Sequence, residues 1–176
     1  VGDVILVHHH ICLFGIGEAE DRGEAEFALH HLTGGVLRVF PGLEHVAEQA
    51  GIELDIHWHS FELDPDAPAK HEVSNTERLA QKYGRSYAEM EEMERNVAAM
   101  AATEGIDFQW QKANSGNSFN AHRIIHLAQS KGLGNEAKEA FFHAYMTEGL
   151  AIGEREVVEE IASRIGLDNA EVEYVL

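Results

Sequence analysis

A single cysteine, Cys12, stands in the 176 residues of this chain. One sulfur excludes an intrachain disulfide and any zinc site built from several cysteines, and it suits a reducing, cytoplasmic compartment. Cations are scarce as well: 13 Lys and Arg face 31 Asp and Glu, for a formal charge of −18. A field of that sign repels phosphate backbones and anionic lipid, so neither nucleic acid nor a membrane is an expected partner. The opening Val1-Gly2-Asp3 has no basic residue, and the apolar stretch that follows is interrupted by His8, His9 and His10. Neither a signal peptide nor a membrane span is expected from such a start.

What is present suffices for a folded core. At 44% hydrophobic composition, one compact domain is expected, with two small ones as the alternative. Val4 to Val7 is a short β-branched run that suits a buried strand. After Pro41, Leu43, Val46, Ala47 and Ala50 recur at helical spacing and Gly51 stands where a helix would end. Ile52, Leu54, Ile56 and Trp58 then alternate with Glu53, Asp55, His57 and His59, a period of two that predicts a half-buried strand. From about Asn75 onward the chain reads as helical. Leu79 and Tyr83 share one face before a stop at Gly84, and Ser86 with Glu89 forms a capping box. Met90, Met93, Val97 and Met100 then repeat at intervals of three and four, a stripe that predicts core. Ile106 to Trp110 reads as extended structure or a loop packed on that core. Further helices are predicted over Ser118–Lys131, Asn135–Glu148 and Glu154–Ile165, each closed by glycine, and a last one after Asp168.

Three segments then acquire a common meaning. His57 to Pro65, Leu79 to Gly84 and Asn117 to Arg123, followed by Ala140 to Gly149 and Ile152-Gly153, resemble in order the FrnE type of the DsbA-like, thioredoxin-fold oxidoreductases. The resemblance covers Leu43 to Leu176. It implies an α/β, thioredoxin-like fold, incomplete here, with a large all-helical insertion. Residues 1–66 would form the N-terminal half of a thioredoxin-like βαβ domain, with residues 1–42 atypical, and residues 67–176 the helical insertion domain. The implied chemistry is thiol–disulfide exchange on a protein or small-thiol substrate, glutathione included, with no cofactor. In such proteins a Cys-Pro-Trp-Cys motif opens the first helix, where amides and the helix dipole lower a thiol pKa. A cis-proline faces it after the insertion. This sequence has no such motif, and its prolines are Pro41, Pro65 and Pro68. The expectation is therefore a lineage of oxidoreductases whose two-cysteine cycle this chain does not perform.

Two readings account for the missing cysteines. In one, Cys12 is the second cysteine of the pair, and His9 replaces the nucleophile; Cys12 is then the catalytic candidate. The stretch from Cys12 to Glu44 is, however, far longer than the family's. In the other, the segment up to about Gly42 is out of register with the ancestral reading frame. Codons for Gly34 to Val39, regrouped by one base, can encode Trp-Trp-Cys-Phe-Xaa-Gly at the family's distance from Glu44.

Other constellations carry less. His57 and His59 at i, i+2 on a strand would set two imidazoles side by side, but a third ligand must come from elsewhere, so no metal site is assigned. Asn117, His122 and Arg123 fall at the start of an insertion helix that, by resemblance, faces the cleft; they are the substrate-binding candidates. Their plainer reading is a helix cap with surface hydrogen bonds. Glu62, Asp64 and the run Glu89 to Glu94 read as a strand exit and a solvated helix face. A glutathione-dependent isomerase or transferase of the kappa-like branch, or a non-catalytic binding or interaction module, are the alternative functions. An open sheet edge would make the chain a homo-oligomer. The shifted-frame reading has a direct test: the coding DNA, read one base out of register across codons 34–39, should contain an adjacent Trp-Cys pair, and its absence removes the idea.

Overall fold

The computed structural model describes residues 8–9, 49, 59–60, 62, 64–103 and 105–176. Two short strands, β1 (His8–His9) and β2 (His59–Ser60), pair in parallel, with His8 opposite His59 and His9 opposite Ser60. Parallel neighbours require a crossover connection, so this pairing marks a β-x-β unit. The predicted strands at Val4–Val7 and Ile52–Trp58 lie outside the described residues, each immediately ahead of one of these pairs. Gln49 is helical, in the segment where a helix is expected after Pro41.

Helices fill the remainder: α1 (Asn75–Tyr83), α2 (Tyr87–Thr103), α3 (Phe119–Ser130), α4 (Gly134–His143), α5 (Arg155–Arg164) and α6 (Asn169–Val175). Their ends follow local chemistry. Ser74 Oγ accepts the Glu77 amide at the start of α1 at 3.2 Å, and Asp168 accepts the Ala170 and Glu171 amides at 3.0 Å at the start of α6. Ahead of α2 the capping box forms: Ser86 Oγ accepts from Glu89 N at 3.3 Å, and Glu89 Oε2 accepts from Ser86 N at 2.8 Å. The Ser86 hydroxyl, which donates to Glu89 Oε2 at 2.7 Å, and then the Ser86 amide hold the exposed Glu89 carboxyl below its ordinary range, since both favour the charged form.

The core lies among α3, α4 and α5. Phe141, Tyr145, Ile124, Ile161 and Val158 are fully buried, and Ala121, Ala128, Ala137, Ala144 and Ala162 are each 0% exposed. Alanines at these contacts let the helix axes approach closely. Phe108 and Trp110, from the irregular segment between α2 and α3, close one side of this core. Leu79, Ala80 and Met90 form a second cluster that joins α1 to α2.

One predicted helix differs in form. The span expected to run to Glu148 is α4 followed by a π-helical turn at Ala144–Glu148. Its carbonyls are wanted elsewhere: Gln109 N donates to Met146 O at 2.8 Å, and Leu150 N to Ala144 O at 2.8 Å. The wider turn accommodates both, as such insertions do. Gly149 closes it at φ +73°, where a Cβ would come within 2.7 Å of Lys112 O. Gly84 has a similar φ of +61° but nothing within 4 Å of a Cβ. The Gly84→Ala variant should therefore lose only the left-handed penalty of about 1–2 kcal/mol. Gly149→Ala should lose clearly more, by the added steric conflict, as read from urea unfolding midpoints; equal losses would show that the Lys112 contact does not matter.

Candidate functional site

Two places concentrate polar chemistry: the start of α3, and a buried cluster between α1 and α2. Asn117 precedes α3 and commits its whole carboxamide within the chain. Nδ2 donates to Glu62 Oε1 at 2.9 Å and to Pro65 O at 3.1 Å, and Oδ1 accepts the Phe119 amide at 2.9 Å. Ser118 is the N-cap residue and makes no side-chain cap bond; Asn117, one residue earlier, engages the first amide of α3 in its place and at the same time ties that helix to the segment leaving β2. One turn on, His122 is buried, at 5% exposure, and not at the surface. The cause is its position in α3, where Ala121, Ile124, Ile125 and Ala128 occupy the same buried side. Arg123 is half-buried. Its guanidinium donates to Asn120 Oδ1 at 3.0 Å and to Leu176 O at 3.4 Å, and lies 5.6 Å from the ring centre of Phe119, a cation–π contact. Phe119 itself is 53% exposed. Three candidates chosen together from the sequence thus point to three surroundings: the strap after β2, the interior, and the chain's last residue. Further along α3, His126 Nε2 and Ser60 Oγ are 3.0 Å apart, a second link to β2.

Cys12 and the histidines at 10, 30, 31 and 57 lie outside the described residues. Among the described residues, no group of three or more His, Cys, Asp or Glu could hold a metal ion. No helix there is long and apolar enough to cross a membrane.

The buried cluster was not legible as such. Glu94, expected on a solvated face, is 3% exposed. It accepts from Asn75 Nδ2 at 2.9 Å through Oε1 and from the Thr76 hydroxyl through Oε2. Asn75 Oδ1 in turn accepts from Arg78 Nη2 at 3.0 Å and Ser115 Oγ at 3.1 Å. The spacing did contain the clue: Met90, Glu94, Val97 and Ala101 are the buried residues of α2, at steps of four, three and four, so Glu94 sits on the very stripe that Met90 and Val97 define. Hydroxyls of Tyr83 and Tyr145 are buried near this cluster with no hydrogen-bond partner among the described residues. Burial pushes the Tyr83 phenol up to about 12, against the pull of Arg78. Burial also raises Tyr145, with Arg78 opposing and Glu94 adding.

With this geometry in place, similarity to known proteins can be weighed. A family model for the DSBA-like thioredoxin domain matches residues 37–176. The chain belongs to the DSBA-like thioredoxin domain family. A crystal structure described as a probable DsbA oxidoreductase from Streptomyces coelicolor is similar at 29% identity with a TM-score of 0.71, over 81% of this chain. The DSBA-like chain spans 61% of that structure's length. No curated protein matches it.

Burial is the largest influence on Glu94 and raises its pKa; Thr76, Asn75 and Arg78 lower it, and Glu91 adds to the rise. A carboxyl whose folded pKa exceeds its unfolded one binds the proton more tightly when folded. Its stabilising contribution is then complete below the unfolded value and is lost as pH rises through the folded value. Glu94→Gln, which keeps an acceptor without a charge, should therefore be more stable than the parent at neutral pH, with the gap closing as pH falls toward the ordinary carboxylate range. Glu94→Leu strands the Asn75 and Thr76 donors and should cost about 2–3 kcal/mol. Urea unfolding across pH reads both, and a Gln variant weaker than the parent at neutral pH would contradict the assignment.

Proposed function

We propose that this chain derives from a FrnE-type thiol–disulfide oxidoreductase and holds its substrate-facing helical part, without the sulfur pair needed to turn over. One observation carries this reading: the family match covers residues 37–176, while the sole cysteine, Cys12, lies outside it. Disulfide exchange needs two sulfurs in succession. A first thiolate attacks a substrate disulfide, forming a mixed disulfide and expelling one substrate thiolate; a second thiolate then attacks the first and releases the other. A lone Cys12 can reach the mixed disulfide, with glutathione or a protein thiol as the partner, but supplies no resolving sulfur.

Substrate would be met at the start of α3, the stretch that holds Asn117, His122 and Arg123. Support for this comes from Phe119, a large apolar side chain left open to solvent beside a guanidinium. That combination suits an extended polypeptide, whose apolar side chains and carbonyls it can engage together. The acidic surface favours substrates without excess negative charge.

Insulin reduction by dithiothreitol is the direct assay. The chain as given should leave the rate at the uncatalysed level at micromolar concentration, while a version whose gene is re-read across residues 1–45 should accelerate it. Catalysis by the chain as given, surviving Cys12→Ser, would overturn the reading.

A further inference from the structure

The described residues of the segment from Glu62 to His71, which joins β2 to α1, are held mostly by their main chain. Asn117 N donates to Pro68 O at 2.8 Å, Asn117 Nδ2 to Pro65 O at 3.1 Å, and Asn114 Nδ2 to His71 O at 3.4 Å. Ala69 rests on two glycines that leave no room for a side chain: a Cβ on Gly116 would come within 2.8 Å of Ala69 C, and one on Gly153 within 3.0 Å of the same atom and 2.7 Å of Asn117 O. Side chains add little. Glu62 meets Asn117, Lys70 lies 3.5 Å from Glu154 with half of its side chain exposed, and Asp64, Pro65, Asp66, Pro68 and Ala69 are exposed. A segment fixed by a few hydrogen bonds, with hardly any apolar burial among its described residues, opens at far lower free energy than the helices on which it lies.

We propose that residues 114–117 and Gly153 form a clamp and that the 62–71 segment is its releasable strap, which opens as a unit while α1 to α6 stay folded. Release would leave His126–Ser60 as the remaining side-chain hydrogen bond between the helices and β2 among the described residues. Asn117 is the positioning residue of this device, because one side chain grips the strap at two points and caps α3 with its third. The proposal does not depend on any redox activity.

Trypsin reports the opening, since Lys70 lies in the strap and its following bond is cut only when the segment leaves its seat. In the full-length chain, Asn117→Ala should raise the cleavage rate after Lys70 about tenfold or more, as expected for the loss of two hydrogen bonds, and Gly153→Ala should raise it as well, because its Cβ would occupy the space of Ala69. Cleavage after Lys131 and Arg164 and the far-UV thermal melt should stay near the parent's. Asn117→Asp separates the roles: it keeps the acceptor for the Phe119 amide but loses both donors to the strap, and should behave like Asn117→Ala. An unchanged rate at Lys70 in Asn117→Ala would overturn the proposal. So would a rise matched at Arg164, which means global unfolding, or a parent-like rate in Asn117→Asp, which means that the residue is a helix cap alone.

Discussion

The carboxyl of Glu94 is the point from which the polar order of the helical part spreads. A buried acid is tolerated only when its oxygens are engaged, because an unsatisfied one costs several kcal/mol in a low-dielectric interior. Asn75 and Thr76 meet that need from the first turn of α1, so the register of α1 against α2 is set by hydrogen bonds before the small Leu79, Ala80 and Met90 cluster adds its apolar contact. Asn75 passes the constraint on to Ser115. Two residues later Asn117 takes hold of the strap. Two sets of polar contacts, joined by the two-residue step from Ser115 to Asn117, thus connect the α1–α2 interface to the exit of β2.

Two kinds of contact divide the structure. Apolar packing among α3, α4 and α5 gives a rigid body, with tight alanine contacts and a π-helical turn that yields its carbonyls to neighbouring loops. Among the described residues, the links between that body and β2 and its exit are polar, Ser60 with His126 and Glu62 with Asn117, a kind of contact that is weaker and reversible. Sulfur chemistry belongs to neither and, in this sequence, has only Cys12 to draw on.

The helical part was largely readable from residue order, because its signals are local. Glycine stops at Gly84, Gly132, Gly149 and Gly166 all have positive φ, the Ser86–Glu89 box forms, and Met90 and Val97 of the predicted stripe are buried while Met93 and Met100 are half-buried. Family membership also followed from ordered motifs, while its finer FrnE assignment rests on resemblance. What local patterns could not convey was partnership across the chain. Glu94 looks like one acid among several until Asn75 and Thr76 are folded beside it; His122 looks like a surface histidine until the buried side of α3 is known. The π-helical turn was equally hidden, since its cause is an amide at Gln109, far away in sequence. The places expected for the first strand and for Cys12 fall outside the described residues.

A grip on carbonyls has a consequence for how this chain can change over generations. Asp66, whose side chain is exposed, could be replaced by most other residues without disturbing the carbonyls by which the strap is held. Tolerance ends at the seat: a single methyl at Gly116 or Gly153 occupies the space that Ala69 needs. Drift would therefore accumulate in the part that is held, and constraint in the part that holds.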